Sequence, residues 1–176
     1  MTTKELEDIL YFSLWKQGTY MCFEVAMPNP SGRIMKSLER VDMLSYETKG
    51  IWRFYELKVS KSDFHSKHKV TFLGHYNYYV MPFDLYNEVQ DEIPDWVGVY
   101  AAHEGGREVH CVKRPKKQEL KVDPESLMFN FMQALSRENT KYRKYLRTQH
   151  NKNKKRKSTQ ESGQTGIILD DFLEIV

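Results

Sequence analysis

The run Ile51-Trp52-Arg53-Phe54-Tyr55-Glu56-Leu57-Lys58-Val59 constrains the fold more than any other stretch of this chain. It is rich in β-branched and aromatic residues and alternates, which predicts a half-buried strand. Glu56 and Lys58 sit inside it on one face, because side chains two positions apart in a strand point the same way. A charge in an otherwise apolar strand is costly unless a partner meets it. The strand must therefore lie beside other polar groups placed to receive these two.

The neighbouring stretch Arg40-Val41-Asp42-Met43-Leu44 supplies one more carboxylate in an apolar setting. Asp42, Glu56 and Lys58 together resemble the acid…acid-x-Lys signature of the PD-(D/E)XK nuclease superfamily. The resemblance is to its MmcB-like DNA repair branch. It runs through Arg40–Leu44, Phe54–Ser60, Asp63-Phe64, a lysine at Lys67 or Lys69, and Tyr78-Tyr79-Val80-Met81-Pro82, within roughly residues 20 to 103. It implies an α/β fold with a restriction-endonuclease-like αβββαβ core, a mixed central sheet, and here a C-terminal hairpin and long helix.

The chemistry of the trio agrees with that family. Two carboxylates on adjacent strands can hold Mg²⁺ or Mn²⁺, hard cations that take oxygen ligands; Mg²⁺ keeps several of its waters. The metal polarises a phosphodiester and lowers the pKa of a bound water. A lysine beside them orients the attacking water or stabilises charge on the phosphate. The resemblance thus implies Asp42, Glu56 and Lys58 as catalytic residues, with Asp42 and Glu56 as metal ligands. It also places a glutamate in the first strand near the metal. Glu24 fills that position, and its alternative is a strand residue facing solvent.

In order along the chain, Leu6, Ile9, Leu10 and Leu14 form a stripe at helical spacing, predicting a helix from about Thr3 to Lys16. Its acids Glu5, Glu7 and Asp8 suit a first turn at the positive end of the helix dipole; one of them as a further metal ligand is the other reading. Strands are predicted over Thr19–Met27, within Arg33–Tyr46 and over Ile51–Val59. A helix is predicted from Ser60 to about Gly74, a short strand over Asn77–Met81 and a helix over Phe83–Val89. A hairpin of Trp96–Ala102 and Glu108–Lys113 follows, and a long helix begins at Asp123-Pro124.

The helix after Ser60 starts directly behind the Glu56/Lys58 strand. Its N-terminal N–H groups, with Ser60, Lys61, Lys67 and Lys69, predict a phosphate-attracting surface there. His65 and His68 have no carboxylate spaced with them as in zinc helices, which leaves them solvated or contacting phosphate. Farther on, Arg137–Arg147 mixes cations with Tyr142 and Tyr145, suited to backbone contacts and base stacking or simply to a solvated helix end.

Composition bounds the remainder. Of 176 residues 40% are hydrophobic, enough for a core, and the net charge is only +3, so nucleic-acid contacts must come from local patches. Cys22 and Cys111 lack C-x-x-C spacing, which argues against a disulfide framework or zinc and for a reduced compartment. No apolar run is long enough to span a membrane, and the first residues are too acidic for a signal peptide. A cytoplasmic protein of a bacterial or phage-infected cell is expected.

The domain division expected is a nuclease-like domain over 1–147, a basic disordered linker over 148–166 and an acidic-hydrophobic peptide over 167–176. The linker is polar and poor in apolar residues. Its Lys154, Lys155 and Arg156 are expected to attract phosphates nonspecifically. Ile167–Val176 reads as a docking peptide for another protein, or as a segment folding back on its own domain. The function expected is a metal-dependent DNA endonuclease or repair-associated nuclease. The alternatives are a nucleic-acid-binding module of the same fold that does not cleave, and an interaction protein acting through its C-terminal peptide. A homodimer is compatible with any of them.

Overall fold

The computed structural model describes residues 1–28, 39–66 and 72–170, with side chains described as far as residue 153. The chain divides into two units, Met1–Ala134 and Leu135–Val176. The first boundary thus falls earlier than the one expected after residue 147.

The first unit opens with α1 (Thr3–Leu14). Its start is a capping box in which Thr2 accepts from the Glu5 N–H and the Glu5 carboxylate accepts from the Thr2 N–H. Three strands follow as an antiparallel meander: β1 (Thr19–Ala26), β2 (Arg40–Glu47) and β3 (Ile51–Leu57). After the short α2 (Lys61–Phe64), β4 (Tyr76–Pro82) lies parallel to β3. Then α3 (Phe83–Val89) and a 3₁₀ turn (Gln90–Glu92) lead to β5 (Gly98–Ala102), parallel to β4. Finally β6 (Val109–Lys113) pairs antiparallel with β5, and α4 (Pro124–Asp170) begins. The sheet order is β1-β2-β3-β4-β5-β6, so β3 is the strand where the antiparallel and parallel halves meet.

Each face of the sheet is covered by what its alternation dictates. Tyr55 and Leu57 of β3, with Met43, Tyr78 and Val80, pack against Leu6 and Leu10 of α1. Tyr79, Met81 and Val99 on the other face pack against Leu85 and Val89 of α3 and Ile93. The first turns of α4 belong to this unit and bury Leu127, Phe131 and Ala134. Phe131 meets Trp52 edge-on, 5.6 Å between ring centres. Among the described residues no helix is long and apolar enough to cross a membrane.

Two helix expectations are corrected. The helix expected from Ser60 to Gly74 is a single turn, α2, while residues 72–75 are not helical and 67–71, with Lys67, His68 and Lys69, lie outside the described residues. The turn closes at His65, whose N–H goes to the Lys61 and Asp63 carbonyls. Farther on, the Asn77 side chain accepts from the Gly74 N–H and donates to the Gly74 carbonyl, both at 3.0 Å, which holds the turn into β4.

Gly74 itself sits where no side chain fits. A Cβ there would lie 2.4 Å from the Phe54 ring and 3.1 Å from the Trp52 carbonyl. The ring belongs to a fully buried core residue, so it has no open space to yield into. Gly74→Ala is expected to cost about 1–3 kcal/mol by overpacking. Urea denaturation checks this; a midpoint equal to wild type would show that the β3–β4 crossover is loosely packed.

The second correction concerns residues 148–166. Expected to be disordered, their backbone is helical, because α4 continues to Asp170. Lys, Arg, Gln and Glu are good helix formers, and extending an existing helix avoids the cost of nucleation. Of the expected docking peptide, residues 167–170 end that helix and 171–176 lie outside the described residues.

Candidate metal and phosphodiester site

The antiparallel register pairs Met43 with Tyr55; one step further along the same register sets Asp42 across from Glu56. Both alternate with Met43, Tyr55 and Leu57, which belong to the α1 cluster. An Asp42 Oδ2 atom accepts the Leu57 N–H at 2.8 Å. Burial raises the pKa of Asp42. The Leu57 N–H, the positive charge of Lys58 and a hydrogen bond with the Glu56 carboxyl pull it back, and the negative charge of Glu24 adds to the rise.

Glu56 is only 5% exposed and Lys58 6%. The two buried charges that the sequence placed on one strand face are thus both in the interior. Lys58 is pinned at each end: its N–H donates to the Val80 carbonyl at 2.9 Å, and its ammonium lies 3.8 Å from Asp63 Oδ1. Glu56 lies across from Tyr79 on β4. The Tyr79 hydroxyl is pushed up to about 12, first by burial and then by the Glu56 charge.

Glu24 completes one side. In β1 the pairs Phe23↔Met43 and Val25↔Val41 bracket it, which puts it across from Asp42. Its φ is +55°, and among the described residues it is the sole non-glycine with positive φ. A residue in that conformation inside a strand stores local strain and re-aims its side chain. Glu24 is exposed, and its carboxylate lies 3.5 Å from Arg40 Nη1. Its negative charge nonetheless reaches both Asp42 and Glu7.

The α1 acids separate by role. Glu5 is occupied by the capping box, and Asp8 lines a surface pocket with Met1, Ile9 and Glu104. Glu7 is the one coupled to the site by charge: burial raises its pKa first, followed by the charges of Glu24, Asp42 and Asp8. Choosing among three neighbouring acids needed the orientation of α1 on the sheet, which sequence spacing does not contain. Asp63, matched in the resemblance, had no role assigned to it. It accepts the Val59 N–H at 3.1 Å while meeting Lys58. Its signal was present in the sequence, an acid five residues after a buried lysine and just inside a Ser60-capped turn.

Of the expected phosphate surface, Ser60 and Lys61 are described, while Lys67 and Lys69 lie outside the described residues. With four residues, α2 has little dipole to offer, and its Asp63 N–H is taken by the Ser60 hydroxyl at 3.2 Å. Ser60 also shares a hydrogen bond with Ser62. Lys61 lies 3.9 Å from Glu88 of α3, and His65 lies 2.7 Å from Glu92, so these groups tie α2 to the α3 region. His75 accepts the Trp52 N–H on Nδ1 at 3.0 Å, a structural bond. Lys154, Lys155 and Arg156 belong to the second unit, with side chains outside the described ones.

Among the described residues no three His, Cys, Asp or Glu side chains are grouped so as to hold a metal ion. The arrangement is a hydrogen-bonded carboxyl pair, Asp42 and Glu56, with Glu24 and Glu7 contributing charge from farther away. That donor set fits Mg²⁺ or Mn²⁺ in chemistry, since Mg²⁺ sites commonly use one or two carboxylates and complete the shell with water. The raised pKa of Asp42 has burial as its first cause, a cost that the Leu57 N–H and the Lys58 charge partly offset.

No family model matches this chain. No curated protein matches it significantly either. Its structure is similar to that of a protein of unknown function from Silicibacter pomeroyi, with a TM-score of 0.54 at 16% identity, over 80% of this chain and 86% of the other. At that identity the likeness is one of fold alone.

Proposed function

We propose that this chain is a metal-dependent DNA endonuclease or repair-associated nuclease of the PD-(D/E)XK type. The observation that carries the reading is the Asp42–Glu56 carboxyl pair on adjacent strands, with buried Lys58 two residues beyond Glu56. The strand order supports it: three antiparallel strands, a helix, and a fourth strand parallel to the third. Asp42 and Glu56 would hold Mg²⁺ or Mn²⁺. The bound metal would supply a water of lowered pKa and neutralise charge on the phosphodiester.

The remaining work falls to the chain itself. Lys58 presents an ammonium that is held in place by Asp63 and shielded from solvent, where a charge acts more strongly than in water. It donates to the attacking water or to a phosphate oxygen as negative charge develops. The Leu57 N–H fixes the Asp42 carboxylate, so Asp42 meets the cation without first having to be oriented. Glu24 and Glu7 add negative potential that favours cation entry.

A second reading is a nucleic-acid-binding module of the same fold that does not cleave. One experiment separates the two. Duplex, branched and single-stranded DNA are incubated with the protein in Mg²⁺, in Mn²⁺ and in EDTA. Cleavage of at least one form in metal and not in EDTA is the expected outcome. Binding without cleavage in any metal would establish the module instead, and neither binding nor cleavage would sink both readings.

A further inference from the structure

In the second unit, α4 carries a cationic row that the site above does not use. Between Arg137 and Lys152 the chain holds six Lys or Arg and a single acid, Glu138. At about 100° per residue, Arg137, Lys141, Lys144, Arg147 and Lys152 fall within an arc of roughly 140° and recur over a rise of about 22 Å. Glu138 answers the first two, bonding Arg137 at 3.1 Å and Lys141 at 2.8 Å. Arg143, Lys144, Arg147 and Lys152 have no ion-pair partner among the described residues, and all four are exposed.

The opposite arc carries Tyr142 and Leu146, with Tyr145 at the border, each 44–59% exposed. Three alternatives compete for such a helix. A coiled coil needs apolar residues sustained at heptad a and d positions, but the series through Leu135 and Tyr142 continues with Gln149 and Lys152. A bilayer interface needs a broad apolar face with Trp, Phe or Leu, and this segment offers one leucine and two tyrosines. A helix whose Lys144, Arg147 and Lys152 stand unanswered in one row matches instead the charged edge of a nucleic-acid duplex. Neutralising phosphates there releases counterions.

We infer that the Arg137–Lys152 stretch of α4 is a duplex-binding arm, its cations lying along the phosphates of one groove edge. Lys154, Lys155, Arg156 and Lys157 continue the positive run in the sequence. The choice of DNA as the duplex rests on the proposed function of the first unit; the cationic row itself does not. The arm contributes affinity without sequence preference, because phosphate contacts position a protein but carry no base information.

The test uses the full-length protein in EDTA, where cleavage plays no part. Binding to a labelled DNA duplex of about 20 base pairs and to the matching single strand is followed by fluorescence anisotropy across a salt series. The triple substitution Lys144→Gln, Arg147→Gln and Lys152→Gln keeps helix propensity, and circular dichroism confirms the helix. The expected result is weaker duplex binding, with the log–log salt slope flatter by about 3. An unchanged affinity and slope would overturn the inference. So would preferential binding of the single strand that Tyr142→Ser with Tyr145→Ser abolishes, or co-sedimentation with phosphatidylserine vesicles in place of duplex binding. The arm is read by binding in EDTA and the proposed function by cleavage of the same duplex in Mg²⁺, so failure of cleavage and failure of the arm are read separately.

Discussion

Asp42→Asn is expected to abolish Mg²⁺-dependent cleavage and, in the same protein, to raise the melting temperature without metal at neutral pH. The rate loss should be of the order of 10²–10³-fold or more, the scale seen when one group stabilising developing charge is removed. The stability gain follows from the raised Asp42 pKa, whose largest cause is burial. A carboxyl with a folded pKa above its unfolded value binds more protons when folded. Its contribution is therefore fully present below the unfolded pKa and is lost as pH rises through the folded one. At neutral pH the ionised Asp42 is a cost, and asparagine removes it while its side-chain oxygen can still accept the Leu57 N–H. At neutral pH, in EDTA, the variant should melt higher than wild type, with the gap closing as pH falls through the folded pKa of Asp42. Mg²⁺ should stabilise wild type through its preference for the folded state and leave the variant unmoved. A variant that melts lower than wild type at pH 7 would show that the ionised Asp42 is already compensated within the fold, and the case for a waiting cation site would fall with it.

The second large effect is structural. Phe131, 2% exposed, joins α4 to the sheet by its edge-on contact with Trp52, which itself leans on Tyr46 at 4.6 Å. Phe131→Ala removes a buried aromatic and is expected to cost about 3–5 kcal/mol, a large part of a typical domain's 5–15 kcal/mol. Two residues away is a control: Phe129 on the same helix is 63% exposed, and its truncation should shift the urea midpoint little. Comparable small losses at both positions would mean that the first turns of α4 rest on the sheet without anchoring it.

The strands were legible in the chain because each carries its own period. The meander, the hairpin and α3 follow from alternation and turn residues that act within a few positions. Asp42 and Glu56 were legible for the same reason, as polar intrusions in apolar strands need one another. What the sequence did not contain was geometry that depends on packing. The selection of Glu7 over Glu5 and Asp8 came from the roll of α1 on the sheet. The left-handed backbone at Glu24 has no glycine or turn motif to announce it. The end of α2 at Phe64 has no glycine or proline to mark it. The long run of α4 was hidden by its polarity: composition alone reads such a segment as disordered, whereas continuity with a docked helix start lets it propagate.

The change from antiparallel to parallel pairing at β3 has a kinetic consequence. Antiparallel neighbours close through short loops, whereas each parallel pair needs a crossover, and loop closure must precede the contacts that reward it. Glu24, Asp42 and Glu56 all lie on the meander side of that change, within one stretch of chain that can zip strand by strand. Lys58 follows directly behind, but its backbone bond to Val80 forms only when β4 arrives. The carboxylates are thus gathered in the early-forming half of the sheet, while the ammonium that answers them is secured by the slow step. A nascent chain would display a cluster of acids before it is neutralised, and a cation taken up at that stage would act as a template for the remaining folding.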